Sequence, residues 1–181
     1  WKKVLYLGPT AGATDLAMDR KNPDTLYAVF WDHQRMPWGI REVGPKAGVY
    51  KSTDGGDSWH KSETGLPKVM GKVGIAISAN SNRLYAIVAT NPDVNDSEAG
   101  LYRSDDAGAT WKLVNSNRNI RQRAFYYTHI TADPKNKDVV YALNTSLYRS
   151  ADGGKTITSV GGGTHGDMHD LWIDPDDPAR S

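Results

Sequence analysis

The chain has 181 residues, of which 38% are apolar and 24% are charged, the composition of an ordinary globular protein. Its formal net charge of +1 excludes a long-range electrostatic attraction to nucleic acid or to an acidic membrane surface. The lack of cysteine excludes disulfides and thiolate metal sites, and no apolar run reaches the ~18 residues that would predict membrane insertion.

The first predicted element is residues 1–8. Its opening, Trp1-Lys2-Lys3-Val4, matches Trp111-Lys112-Leu113-Val114 later in the chain. The later segment ends a repeat unit, so residues 1–8 predict the last strand of another such unit.

Three repeat units follow, spaced about 50 residues apart. Each has an apolar run ending in Asp or Ser, a Leu/Val-Tyr-Ala core and a Tyr-Lys/Arg-Ser core. Clusters of Asn, Asp, Pro and Gly separate these segments, as strand boundaries should. The tyrosines of the first core are Tyr27, Tyr85 and Tyr141. Each unit therefore predicts four antiparallel strands, A to D, which form one blade of a β-propeller.

The predicted fold is all-β: three complete blades at about 13–62, 72–115 and 126–160, with flanking strands at 1–8 and 167–174. Residues 1–181 are treated as a single propeller segment. A closed propeller usually needs about four to eight blades, so we expect a piece of a longer propeller. Open terminal strands also favour self-association.

The connection between strands C and D carries the pattern Ser-x-Asp-x-Gly-x-Ser/Thr-Trp, with Ile157 replacing the last Trp in the third copy. We call residues 52–59, 104–111 and 150–157 the Ser-x-Asp turns. The Asp carboxylate can accept turn N–H groups, and Gly tolerates positive φ. We therefore predict a structural role, rather than a catalytic or calcium-binding one, for Ser52, Asp54, Gly56, Trp59, Ser104, Asp106, Gly108, Trp111, Ser150, Asp152 and Gly154.

The Ser-x-Asp turns resemble the Asp box of sialidases, sortilin-like receptors and bacterial BNR-repeat proteins. The likeness covers essentially the whole chain, including Trp31-Asp32-His33 and the segment from His165 to Pro175, which are similar to large exported bacterial BNR proteins called glycosyl-hydrolase-like or sortilin-like. This resemblance implies a propeller fold and an extracellular or periplasmic location. Since one fold hosts many functions, the activity must be argued from the site.

In this topology the A–B and C–D turns lie on one face, and the B–C loops and D–A connections lie on the other, which we call the loop face. The irregular segments 32–46, 91–98, 115–124 and 161–170 all belong to the loop face. Binding residues concentrate on variable loops held by a rigid scaffold, so function is predicted there.

Arginine side chains form the first candidate site, since guanidinium groups bind carboxylates bidentately, although such a run also suits a solvated surface. Trp38 lies in a long loop where an indole can stack on a sugar ring, whereas Trp31 ends a strand and is predicted to be core. The candidate ligand-binding residues are Arg118, Arg121, Arg123, Trp38 and Tyr127.

His165, Asp167 and His169 form the second candidate. In an extended strand these alternate residues would point to the same side, a spacing that permits a divalent metal ion. The competing interpretation is a hydrogen-bonded cluster at the mouth of the channel. Apart from this ion, no cofactor is expected.

The third candidate is the inner column Asp15, His129 and Asp170, which occupy equivalent repeat positions, with Gly74 in the second blade. Paired carboxylates can serve as acid and base on a glycosidic bond, but buried polar residues also line propeller channels without catalysis.

Two functions remain open. The first is a module that binds a protein or glycan through its loop face. The alternative is part of a glycoside-hydrolase-like enzyme, sialidase- or xyloglucanase-like. The nucleophile elbow, P-loop, HExxH and dinucleotide motifs are all missing from the sequence. Binding is favoured because no complete catalytic set can be named in this chain.

Overall fold

A computed structural model describes residues 1–163 and 165–179 of the chain. The strands are β1 (Ala11–Met18), β2 (Leu26–Asp32), β3 (Gln34–Met36), β4 (Gly39–Arg41), β5 (Gly48–Ser52), β6 (His60–Ser62), β7 (Val73–Ile77), β8 (Leu84–Val88), β9 (Gly100–Ser104), β10 (Lys112–Asn115), β11 (His129–Ala132), β12 (Val140–Leu143), β13 (Leu147–Ser150) and β14 (Thr158–Ser159). Two 3-10 helices, Asp96–Glu98 and Arg118–Arg121, lie in connections.

Twelve of these strands form three four-stranded antiparallel sheets, with orders β1-β2-β5-β6, β7-β8-β9-β10 and β11-β12-β13-β14. The repeated tyrosines hold equivalent registers, because Tyr27 pairs with Lys51, Tyr85 with Arg103, and Tyr141 with Arg149. The predicted fold class, all-β with four-stranded propeller blades, is confirmed.

The blades pack face to face through two apolar cores. The first joins residues such as Tyr27 and Val49 of blade 1 to Leu84 and Trp111 of blade 2, and the second joins blades 2 and 3. The buried Tyr27 hydroxyl donates to the carbonyl of Ala107 in the next blade at 2.9 Å. In the same way, the Tyr85 hydroxyl of blade 2 donates to the Lys137 carbonyl of blade 3 at 2.7 Å. Apolar burial drives the contact, and the tyrosine hydroxyls set the register between blades.

The Ser-x-Asp turns share one hydrogen-bond pattern. The buried Ser52 hydroxyl accepts the Gly56 N–H at 2.9 Å and donates to the Asp54 carboxylate at 2.7 Å. Asp54 in turn accepts the backbone N–H and the hydroxyl of Ser58. Bonds from Thr110 and Thr156 hold the pKa of Asp106 and Asp152 at about 2, so both turns carry a charged carboxylate at neutral pH.

The structure assigns no strand to residues 1–8 or to the described residues within 167–174, where the sequence predicts flanking strands. A strand needs a ladder of backbone hydrogen bonds to a partner edge, and neither segment is part of such a ladder. The Met168 N–H does donate to the Asn144 carbonyl at 2.8 Å. Leu5 and Leu7 instead lie on the apolar face of blade 1, beside Phe30 and Tyr50.

The long loop after β2 contains an element that the repeat pattern does not predict, the hairpin of β3 and β4. Its base is tied by the buried carboxylate of Asp32, which accepts Thr10 Oγ1 at 2.8 Å and Arg41 Nη2 at 2.9 Å. Burial alone would raise the pKa of Asp32, but these hydrogen bonds outweigh it and lower the pKa. The hairpin therefore projects from a fixed base onto the loop face.

Candidate functional site

The loop face holds a cleft of about 390 Å³ between three connections. Glu42 borders it from blade 1, Asp96 from the B–C loop of blade 2, and Arg121, Arg123 and Phe125 from the segment joining blades 2 and 3. We call this the loop-face cleft. A second cleft of about 260 Å³ lies along the β3–β4 hairpin and shares Glu42 and Phe125 with the first. The two clefts are therefore adjacent, and we call them together the groove.

Asp96 holds one of the three predicted arginines at the loop-face cleft and lies near a second. Arg121 forms a bidentate pair with the Asp96 carboxylate at 2.5 and 3.1 Å, and Arg118 lies 3.9 Å from it. The hydrogen bond from Arg121 lowers the pKa of Asp96, so this carboxylate is charged at neutral pH. Arg121 is thus already paired with a carboxylate of the protein. It is not free to bind the carboxylate of a ligand in this arrangement.

Glu42 is the other carboxyl group at the groove. Burial raises its pKa, whereas Asp96 in the same cleft has a lowered one. Its main-chain carbonyl accepts the indole N–H of the buried Trp31 at 2.6 Å, which fixes the backbone at this point. Trp31 is core, as predicted, while Trp38 is 82% exposed at the tip of the hairpin. The groove therefore combines polar walls with the half-exposed ring of Phe125, while Trp38 lies outside its lining.

The inner column forms a second polar region where the first strands of the blades meet. His129 lies in the electrostatic field of Asp15 and Asp170, together with Lys72 and His169. Burial lowers the pKa of His129 and of Lys72, which favours neutral imidazole at pH 7. The three predicted inner-column residues are thus brought together, and Lys72 joins them.

Gly74 explains why the second blade has no side chain in this column. A Cβ at Gly74 would lie 2.3 Å from the carbonyl oxygen of Thr128, which is rigid backbone of the adjacent blade. Only glycine lets the inner strands β7 and β11 approach this closely.

The predicted alternating metal site is wrong in its geometry. The segment holding His165, Asp167 and His169 is not a strand, and Asp167 has φ 69. The Asp167 carboxylate accepts the Tyr127 hydroxyl, His165 contacts its neighbour's carbonyl, and His169 stacks on Tyr127. Within residues 1–163 and 165–179, no three His, Asp or Glu side chains are grouped closely enough to hold a metal ion.

Sequence reasoning missed Glu42, Asp96, Lys72 and Phe125. Three of these lie in connections that do not repeat, and Lys72 directly precedes β7. Phe125-Tyr126-Tyr127 is a run of three aromatics following the arginines.

Comparison with known proteins points to xyloglucanases among sequence relatives. The chain is 31% identical over 180 residues to a xyloglucanase of Paenibacillus sp. and 30% identical over 180 residues to one of Acetivibrio thermocellus, each alignment covering 83% of the chain. The chain spans only 16% and 20% of the length of these two relatives. No family profile matches the chain.

Solved structures with the same fold are propellers of two kinds. The GH74 xyloglucanase of Xanthomonas campestris aligns with a TM-score of 0.52 at 20% identity, covering 90% of this chain and 20% of that one. YCF48 from Cyanidioschyzon merolae aligns with a TM-score of 0.59 at 14% identity, covering 88% and 40%. YCF48 bound to D1 peptide gives 0.56 at 15%, covering 86% and 41%. The chain is a β-propeller segment related in sequence to xyloglucanases.

None of the helices described in residues 1–163 and 165–179 has the length and apolar character needed to cross a membrane.

Proposed function

We propose that this chain is an Asp-box propeller segment of an exported glycoside-hydrolase-like protein, and that its loop face binds a polysaccharide of the xyloglucan class. The observation that carries the proposal is the pair of adjacent clefts that meet at Glu42 and Phe125. Adjacent clefts suit successive units of a linear polymer, and the Phe125 ring beside hydrogen-bonding groups suits sugar rings with hydroxyl edges.

The sequence relatives give the proposal its ligand class. Both relatives at 30% identity or more are xyloglucanases, so xyloglucan is the first polysaccharide to test. A polysaccharide is too large to cross a membrane, which supports an extracellular or periplasmic location. Hydrolysis by the full-length protein is part of the proposal. Within this chain, Asp15 and Asp170 beside His129 are the candidates for an acid–base role.

A peptide ligand is the second candidate. Arg118 and Arg123 are exposed at the loop-face cleft and would suit an acidic peptide. A structural neighbour of this fold, YCF48, is solved with a bound peptide. The sugar is preferred because Asp96 already engages Arg121 and Arg118, which leaves the cleft less cationic than its arginines suggest.

Affinity electrophoresis tests the proposal. The chain should migrate more slowly through a native gel containing xyloglucan than through a plain gel. Phe125→Ala should lose most of this retardation, equivalent to about tenfold weaker binding, because it removes the ring shared by both clefts. Trp172→Ala is the matched control, since this exposed ring lines a separate hollow beside Met18 and Ile173.

Equal migration of the wild-type chain in both gels would exclude xyloglucan as the ligand. An equal loss of retardation in Phe125→Ala and Trp172→Ala would mean that binding is not localised to the loop face.

A further inference from the structure

The rings of Tyr126, Tyr127 and His169 pack together between the loop-face cleft and the inner column, and we call this cluster the aromatic shelf. His169 packs edge-on against Tyr126, with ring centroids 4.9 Å apart, and stacks on Tyr127 at 5.2 Å. Tyr127 is fully buried and donates its hydroxyl to Asp167. Tyr126, in contrast, is 53% exposed. Tyr127 therefore supports the shelf, while Tyr126 and His169 present it to the outside.

The backbone that holds the shelf is strained at three points. Arg123, Thr128 and Asp167 have φ values of 47, 86 and 69, in the left-handed region that favours glycine. Such a conformation is unfavourable for any residue with a side chain, and it is most unusual for β-branched Thr128. Strain of this kind persists only where the surrounding structure enforces it, and it concentrates at ligand sites.

Local hydrogen bonds enforce these conformations. The Arg123 carbonyl accepts the N–H groups of both Tyr126 and Tyr127, at 2.8 and 3.1 Å. The Thr128 hydroxyl donates to the Ala124 carbonyl at 2.8 Å. These bonds close a tight turn that places two consecutive large rings, Phe125 and Tyr126, toward solvent.

Phe125 and Tyr126 link the two regions of the loop face. Phe125 lines both clefts of the groove, and its ring centroid lies 6.4 Å from that of Tyr126. Tyr126 in turn contacts His169, which directly precedes Asp170 of the inner column. The exposed rings therefore form a path from the groove to the inner column.

We propose that Tyr126 and His169 form a second sugar subsite, joined to the loop-face cleft through Phe125, so that a bound glycan runs from the groove to the inner column. This inference rests on the proposed function, and it names an extended oligosaccharide, rather than a single sugar, as the ligand.

The chemistry at the inner end suits a neutral sugar. Lys72 and His129 are both disfavoured in their charged forms by burial, while Asp15 and Asp170 lie beside them. The region thus offers a mixture of donors and acceptors for the hydroxyl groups of a sugar.

Isothermal titration of the full chain with two ligands tests the inference: cellobiose, which can fill only one end of the path, and a long xyloglucan oligosaccharide. Tyr126→Ala should weaken binding of the long oligosaccharide about tenfold and leave cellobiose affinity unchanged. Phe125→Ala should weaken both. Tyr126→Phe should retain binding, because the ring is kept. Thermal melting of each variant checks the fold, and the exposure of Tyr126 predicts little change.

The outcomes separate the inference from the proposed function. If Phe125→Ala weakens the long oligosaccharide and Tyr126→Ala does not, the second subsite is excluded while glycan binding stands. If Tyr126→Ala weakens both ligands equally, the shelf is not a separate subsite, and the inference fails. If the wild-type chain binds neither ligand, both proposals fail.

Discussion

Gly74→Ala is expected to destabilise the fold by about 3 kcal/mol, because the added methyl group overpacks the contact between blades 2 and 3. The new Cβ would lie 2.3 Å from the Thr128 carbonyl oxygen and 3.1 Å from its carbon. Both are backbone atoms, so no rotamer change relieves the clash. For a domain of this size we expect the melting temperature to fall by about 10 °C. Urea denaturation measures the free energy of unfolding.

Gly12→Ala is the matched control for this prediction. Gly12 also lies in an inner strand, β1, but a Cβ there meets no atom within 4 Å. Its free energy of unfolding should change by less than about 0.5 kcal/mol. If Gly74→Ala is as stable as Gly12→Ala, the close approach of the inner strands β7 and β11 is not a feature of the folded protein.

Ser52→Ala should cost about 1–3 kcal/mol of stability, because it removes the hydroxyl at the centre of the first Ser-x-Asp turn. Ser52 is fully buried, and its oxygen accepts the N–H groups of Gly56 at 2.9 Å and Asp54 at 3.3 Å. In the variant, the buried Gly56 N–H loses this acceptor. Chemical denaturation should show a lower midpoint with an unchanged slope.

The neighbouring substitution Thr53→Ala separates this effect from a general sensitivity of the turn. Thr53 is exposed, and its side chain makes no hydrogen bond within the described residues. Thr53→Ala should therefore leave the denaturation midpoint nearly unchanged. An equal loss of stability in Ser52→Ala and Thr53→Ala would indicate that turn flexibility, rather than the Ser52 hydroxyl, determines the stability of this turn.

The blades could be predicted because their determinants are local and repeated. Tyr27, Tyr85 and Tyr141 each follow the same short pattern, and their equal registers in three sheets follow from it. The β3–β4 hairpin could not be predicted in this way, since it occurs only once. It depends on Asp32, whose bond to Thr10 joins segments that are distant in sequence.

The candidate site was only partly predictable. The arginines at positions 118, 121 and 123 stood out by composition, but their contact with Asp96 crosses between two connections and leaves no signal in the local sequence. His165, Asp167 and His169 were misjudged because the alternating pattern assumes an extended strand. A left-handed residue at Asp167 and the hydrogen bond from Tyr127 replace that geometry.

Hydrogen–deuterium exchange with and without a xyloglucan oligosaccharide tests the central claim, glycan binding at the loop face, most directly. We predict slower exchange on binding in residues 34–42, 90–98 and 118–126, which border the groove and the shelf. Exchange in the three Ser-x-Asp turns, on the opposite face, should be unchanged. Protection confined to the Ser-x-Asp turns, or no protection anywhere at saturating oligosaccharide, would contradict the claim.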